Sequence, residues 1–239
     1  MRIFAAIGIA LLLASCAAGG GRPSDRERYD RVMGKPVANP SAVVQAELAF
    51  ARLAQEEGQW TAFRETAADD AITFTPDLVN AQQWLKDKTD PAEAVTWQPH
   101  HIYMSCDGST AVSTGAWQNA KGDSGHFTTI WRQQDFGKRR PEKEIEWKWV
   151  FDDGQSLDTP LPEPDYVETD IASCKAKIAA ATVPIGLTEK GMTATSRDQS
   201  LVWHAAFNAD GSRVVYVELS QDDGSFQRVH EYTVPVPTP

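Results

Sequence analysis

The hydrophobic period of this 239-residue chain changes near residue 94, and this change constrains the fold more than any other feature. From there apolar and polar residues alternate, which is typical of β-strands with one buried face. Strands are predicted at 95–106, 110–119, 125–134 and 144–151. Short turn-rich segments separate these runs, so the sequence predicts an antiparallel meander built of hairpins.

The residues before this point have helical spacing instead. Asn39, Pro40 and Ser41 form a helix start signal, and Gly58 is a stop signal. A second helix is predicted at 59–67, a short strand at 71–75 and a third helix at 80–86. Helices followed by an antiparallel sheet predict an α+β domain over 39–153, with the helices packed on one face of a curved sheet.

The residues after this domain form two further segments. Residues 154–186 are acidic and punctuated by prolines, with a short helix predicted around 172–180, and we interpret them as a connection. Strand-like runs at 201–207, 213–219 and 226–234 then alternate around two Asp-Gly dipeptides. The sequence therefore predicts a C-terminal three-stranded β-meander over 187–239, which would be marginally stable alone and would lean on the main domain.

Four stretches between residues 41 and 153 resemble one family. They are Glu47–Phe50 with Gly58–Trp60, then residues 107–117, 125–134 and 147–152. These resemble the nuclear-transport-factor-2-like (SnoaL-like) superfamily, and most closely its uncharacterised bacterial proteins. The charged hairpin tip at 136–143 is longer than expected. The resemblance implies a cone-shaped fold whose sheet and helices enclose a pocket, and a homodimer is plausible because related cones often pair. In enzymes of the superfamily, carboxylates or histidines of that pocket move protons. None of their catalytic motifs is recognisable here, so no catalytic residue is assigned.

The first sixteen residues predict the location of the protein. Arg2 precedes an apolar run at 3–13, and Leu13-Ala14-Ser15-Cys16 resembles a bacterial lipobox. The resemblance implies that residues 1–15 are a signal peptide and that acyl chains on Cys16 hold the protein on a membrane. Residues 16–38 would then be a flexible tether. The alternative is an ordinary secretory signal with a chance cysteine. We expect the domain to face the periplasm in a bacterial cell envelope, with the outer membrane favoured over the inner.

Charge and motif content exclude several function classes. A net charge of −10 argues against nucleic acid as a partner, because a phosphate backbone requires basic patches. The sequence contains no phosphate loop, dinucleotide fingerprint or Gly-x-Ser-x-Gly motif, so no cofactor is predicted. The five histidines have no metal-ligand spacing, so no metal is predicted either.

Two cysteines remain once Cys16 carries lipid. Cys106 and Cys174 predict one disulfide in an oxidising compartment, against the alternative of two buried free thiols.

Aromatic residues supply the candidate ligand site. Eight tryptophans are present, and most fall at helix or strand positions of the main domain. Large rings suit an apolar pocket, and they equally suit the core of a small domain. His101 shares its strand parity with Trp97 and Tyr103, so we expect these three side chains on one face. The candidate ligand-pocket residues are Trp97, His101, Tyr103, Trp117, Trp131 and Trp149. His101 could carry a proton or be an ordinary histidine, and the adjacent Asp69 and Asp70 could be a carboxylate pair or a solvated turn.

Three functions fit this sequence. The first is a membrane-anchored, non-catalytic accessory module that binds a small apolar ligand. The second is a structural envelope protein that interacts through its C-terminal meander. The third is an isomerase-, cyclase- or dehydratase-type enzyme, which has fold analogy alone in its favour.

Overall fold

A computed structural model describes residues 38–134, 146–175, 186–188 and 190–236. The predicted signal peptide, Cys16, nearly all of the predicted tether and the charged hairpin tip lie outside these residues. So does most of the predicted helix at 172–180. Among the described residues, no helix combines the length and the apolar character that a membrane span requires.

Three helices lie in the N-terminal part of the domain, as predicted. They are α1 (Pro40–Glu57), α2 (Gln59–Thr66) and α3 (Ala81–Leu85). Gly58 ends α1 with a φ of 109°, a backbone conformation that favours glycine. The Asp90 carboxylate accepts a hydrogen bond from the backbone N–H of Thr61 at 3.0 Å and from its hydroxyl at 2.7 Å. A residue about thirty positions away therefore caps α2, and no local sequence pattern could have indicated it.

The main sheet has seven strands and contains the predicted meander. Its strands are β1 (Ala67–Phe74), β2 (Leu78–Asn80), β3 (Thr96–Met104), β4 (Thr110–Gln118), β5 (Ser124–Gln133), β6 (Trp147–Leu157) and β7 (Glu168–Ile171). The spatial order is β2-β1-β6-β5-β4-β3-β7. Strands β3 to β6 are antiparallel neighbours, which confirms the meander. The whole sheet is mixed, because β1 runs parallel to β6 and β7 runs parallel to β3.

The second sheet has five strands and contains the predicted C-terminal meander. Its strands are β8 (Gly186–Leu187), β9 (Gly191–Thr195), β10 (Leu201–Phe207), β11 (Arg213–Ser220) and β12 (Phe226–Val234). They follow the order β12-β11-β10-β9-β8, and all neighbours are antiparallel. The prediction of β10 to β12 is therefore confirmed, and β8 and β9 extend the sheet on its other side.

The main sheet is the middle layer of three. Phe50 of α1 contacts Trp131 on one face, with ring centroids 6.0 Å apart. On the other face Phe151 contacts Trp203 of the second sheet at 5.7 Å, and Phe74 contacts Phe207 at 4.9 Å. We call these the helix face and the interlayer face. Burial on both faces explains why strands β4 and β5 contain so few exposed residues.

Four hairpin turns share one hydrogen-bonding pattern. In each, an aspartate side chain accepts the backbone N–H of a serine two residues later, at 2.9 to 3.1 Å. The aspartates are Asp107, Asp198, Asp210 and Asp223. Such Asx turns fix tight connections without a long loop.

Two of these turns join the sheets to each other. The backbone N–H of Cys106 donates to the Ser200 hydroxyl at 2.8 Å, and that of Asp107 donates to the Asp198 carboxylate at 2.9 Å. The predicted disulfide between Cys106 and Cys174 is present beside them, with Cα atoms 5.2 Å apart. This corner therefore fastens the C-terminal sheet to the main domain.

Candidate functional site

A fully buried carboxylate lies at the centre of the helix face. Glu47 occupies the inward-facing side of α1 together with Val43, Phe50 and Ala54. Its oxygens accept three hydrogen bonds: from Trp97 Nε1 at 2.8 Å, from Trp131 Nε1 at 2.8 Å and from the Ser113 hydroxyl at 2.5 Å. Burial raises the pKa of Glu47 despite these three donors. A charged residue at a core position of an amphipathic helix is the signal that could have indicated this site from the sequence.

Aromatic rings fill the space around Glu47. Trp131 and Trp149 are each only 1% exposed. Phe50 packs edge-on against Phe63 and Trp97, with both centroid distances at 4.8 Å. The Trp149 indole donates to the Thr66 hydroxyl at 3.0 Å. Trp131 and Trp149 therefore form core in this structure, which is the alternative to a pocket lining that the sequence left open.

A second carboxylate lies on the same face and is partly accessible. Asp152 of β6 accepts a hydrogen bond from the Thr129 hydroxyl at 2.7 Å. The surrounding protein raises the pKa of Asp152 from 3.8 to about 7, mainly by desolvation, with smaller contributions from the charges of Glu47 and Asp153. Neither Glu47 nor Asp152 was among the candidate residues from the sequence.

A depression lined by two tryptophans lies at the end of the main sheet where β3 and β5 begin and β4 ends. Trp97 and Trp117 are directly paired across β3 and β4, and Pro160 and Leu161 form the opposite wall. We call this the tryptophan depression; its volume is about 250 Å³, and its remaining lining residues are Thr96, Gln98, Ala116, Gln118 and Ser124.

Both indole N–H groups of the depression are already used by the protein. Trp97 donates to Glu47, and Trp117 donates to the backbone carbonyl of His126 at 3.0 Å. The two indoles consequently offer apolar ring surface to the depression, while the amides of Gln98 and Gln118 lie at its rim.

The structure separates two predicted site residues from the other four. A β-bulge between Pro99 and His101 shifts the register of β3 against β4. Trp97 therefore reaches Glu47 on the helix face, whereas His101 and Tyr103 lie on the interlayer face. The expectation that these three side chains share a face is wrong, because the period of two does not hold across a bulge.

His101 is engaged in contacts of its own on the interlayer face. It stacks on Tyr103 with ring centroids 4.1 Å apart, and its Nε2 lies 2.8 Å from an Asp170 oxygen. The Tyr103 ring lies 5.9 Å from that of His230. Burial together with Asp170 and Glu168 raises the pKa of Tyr103 to about 12.

The adjacent Asp69 and Asp70 do not act as a pair. Asp70 binds Arg132 through two contacts of 2.6 and 3.1 Å, and this hydrogen-bonded guanidinium lowers the pKa of Asp70. Asp69 is exposed, and its backbone carbonyl accepts a hydrogen bond from the Asn80 amide at 3.0 Å.

Two other features offer little recognition chemistry. A second hollow of about 460 Å³ lies between Ile171, Ser173 and residues 220–223, where Asp222 is already paired with exposed Lys175 at 2.8 Å. Within the described part of the chain, no group of three or more histidine, cysteine or carboxylate side chains could hold a metal ion.

Comparison with protein-family models and with curated proteins gives no match for this chain.

Proposed function

We propose that this chain is a lipid-anchored protein of the bacterial cell envelope whose domain binds a small apolar group in the tryptophan depression without catalysing a reaction. The domain would be a nuclear-transport-factor-2-like cone whose interior is closed by its own aromatic residues. The observation that carries the proposal is the pairing of Trp97 and Trp117, whose polar atoms are bonded inward and whose rings line the depression.

The size and chemistry of the depression indicate the kind of ligand. A volume of about 250 Å³ is slightly below the range of roughly 300–1,000 Å³ that is usual for small-molecule sites. It suits a single ring or a branched aliphatic group. The saturated side chains of Pro160 and Leu161 line the depression together with the two indoles, so a saturated apolar ligand would meet similar surroundings there.

The N-terminal sequence and the cysteines support an exported location. Cys16 ends a lipobox-like segment, and Cys106 and Cys174 are joined in a disulfide, which persists in oxidising compartments. We expect labelled palmitate on the full chain and recovery of the protein with membranes. Cys16→Ser should abolish both, whereas retention of the label in that variant would refute the anchor.

The ligand proposal can be tested on residues 24–239 exported to a periplasm and purified without detergent. Native mass spectrometry should show an apolar molecule retained by the domain. If the domain is purified without one, added toluene should bind to it saturably. Leu161→Asp places a charge on the wall of the depression and should abolish binding. Leu48→Asp is the matched control, because Leu48 is an exposed leucine (47%, against 38% for Leu161) that does not line the depression. Equal loss in both variants, or no saturable binding by the unaltered domain, would refute the proposal.

A second candidate function is proton transfer by Asp152. The specific observation in its favour is a partly accessible carboxyl whose pKa of about 7 suits both accepting and donating a proton near neutral pH. The assay is exchange of deuterium into the α-position of an enolisable ketone. Asp152→Asn should abolish the exchange while Asp69→Asn leaves it unchanged; no exchange by the unaltered protein would exclude this candidate for such substrates.

A further inference from the structure

Three of the five histidines meet at the contact between the two sheets. His101 and His126 project from the main sheet and His230 from β12. Rings connect them in a line: Tyr103 to His230 at 5.9 Å, His230 to Tyr232 at 5.8 Å and Tyr232 to His126 at 4.4 Å. We call His101, Tyr103, His126, His230 and Tyr232 the interlayer cluster.

His230 is the member of the cluster that is least able to carry a charge. Its Nε2 lies 3.1 Å from the Thr128 hydroxyl, which is its recorded hydrogen-bond partner. Burial, together with the nearby His126 and His101, lowers the pKa of His230 to about 4. Burial lowers the pKa of His126 as well, and its buried Nδ1 has no hydrogen-bond partner among the described residues.

The acidic groups near His230 already bind other side chains. Asp170 and Glu168 of β7 contact His101 at 2.8 and 3.4 Å. Asp153 of β6 accepts from Arg213 at 3.1 Å and from the Tyr232 hydroxyl at 2.7 Å. A proton on His230 would thus place a charge at a buried contact whose nearby carboxylates already bind His101, Arg213 and Tyr232. The titratable and charged side chains that the main sheet contributes to this contact are His101, Tyr103, His126, Asp153, Glu168 and Asp170. The second sheet adds Arg213 of β11 and Tyr232 of β12.

We propose that the contact between β12 and the main sheet is an acid-sensitive joint, in which protonation of His230 releases β12 from β3 and β5 and thereby opens its edge pairing with β11. Strand β12 is the outermost strand of the second sheet, and His230 and Tyr232 are its ring contacts to the main sheet. Release would expose a strand that is able to pair with another chain. The proposal does not depend on what the tryptophan depression binds.

Hydrogen–deuterium exchange of the full chain in detergent micelles tests the joint. Free His230 would have a pKa of about 6.5, so the population with β12 released should rise about 30-fold between about pH 7.5 and about pH 5. After correction for the intrinsic pH dependence of exchange, protection of β12 amides should fall by the same factor. Protection of β10, at the centre of the sheet, should stay constant.

Two variants separate the joint from general acid unfolding. His230→Gln keeps a side chain that can bond Thr128 but cannot be charged, so β12 should stay protected at low pH. His204→Gln is the matched control, because His204 of β10 also bonds a threonine hydroxyl (Thr193, 2.6 Å) and stacks on a tyrosine, but not at the joint. This control should lose β12 protection as the unaltered chain does.

Each outcome decides for or against the joint. Unchanged β12 protection at low pH, or equal loss in His230→Gln, would overturn the proposal. If His230→Gln does not fold, histidine NMR titration of the unaltered chain replaces it. A His230 resonance that titrates near 4 supports the joint, and one that titrates near 6.5 overturns it.

Discussion

Replacement of Asp152 by asparagine should stabilise the protein at neutral and alkaline pH. The folded state raises the pKa of this carboxyl from 3.8 to about 7, so folding disfavours the charged form. The contribution of Asp152 to the free energy of unfolding is therefore fully present below about pH 4, and it is lost as the pH rises through about 7. A pKa difference of about three, at about 1.4 kcal/mol per pH unit, gives an upper limit of about 4 kcal/mol above pH 7. Because the side chain is partly accessible, solvent screening reduces the expected gain to about 2 kcal/mol.

Urea unfolding at about pH 8 and at about pH 4 measures this effect. The amide oxygen that Asp152→Asn introduces can still accept the hydrogen bond from Thr129, so the substitution removes the charge and little else. Asp152→Asn should raise the free energy of unfolding at the higher pH and leave it almost unchanged at the lower pH. Asp69→Asn, at an exposed position, is the control and should have no effect at either pH. A variant that is no more stable than the unaltered protein at the higher pH would refute the reasoning.

Three further predictions concern stability. Glu47→Ala leaves the Trp97 indole N–H without its acceptor and removes the stronger of two acceptors from the Ser113 hydroxyl, so thermal unfolding should show a loss of about 1–3 kcal/mol; a loss below about 1 kcal/mol would contradict the network. The double variant Cys106→Ser, Cys174→Ser removes a disulfide that joins residues 68 positions apart. Urea unfolding should show a free energy of unfolding lower by up to about 4 kcal/mol, and reduction of the disulfide in the unaltered protein should lower it equally. Gly125→Ala would place a Cβ 2.0 Å from the Gln155 carbonyl oxygen, so it should destabilise strongly, whereas Gly154→Ala, with its nearest atom at 3.4 Å, should cost much less.

Hydrophobic periodicity predicted most of the described elements, because each buries one side of a regular backbone. The predicted bounds of β3 to β5 and of β10 to β12 agree with the structure to within two residues. Strand β7 was not predicted, because it does not bury one side of its backbone. All four of its residues are exposed, and it joins the main sheet by backbone pairing with β3, so its sequence shows no apolar alternation.

The site was harder to predict, because it depends on where the regular pattern breaks. One extra residue in β3 moves His101 and Tyr103 to the face opposite Trp97. A bulge in β6, opposite Ile130 and Trp131, similarly places Trp149 on the helix face and Phe151 on the interlayer face. A strict period of two assigns each of these sets to one face. Pro99 is a local signal for the bulge in β3, because proline within a strand favours bulges and edges, whereas the bulge in β6 has no such proline.

The two faces of the main sheet should oppose each other in their response to pH. On the helix face, the raised pKa of Asp152 means that the protein loses stability as the pH rises from about 4 to about 7. The pKa of Glu47 is raised as well, so its effect has the same sign. On the interlayer face, the lowered pKa of His230 means that the protein loses stability as the pH falls from about 6.5 to about 4. The pKa of His126 is lowered as well, so its effect has the same sign. For Asp152 and His230 the upper limits are about 4 and about 3 kcal/mol, and solvent screening reduces the first to about 2 kcal/mol, so the two contributions oppose each other over nearly the same pH range. Relative to the unaltered protein, we therefore expect stability to rise more with pH in Asp152→Asn and to fall more with pH in His230→Gln, and the double variant should show the sum of the two changes. Non-additive changes in the double variant would mean that the two faces are coupled through the sheet, and a steep profile for the unaltered protein would show that one face dominates.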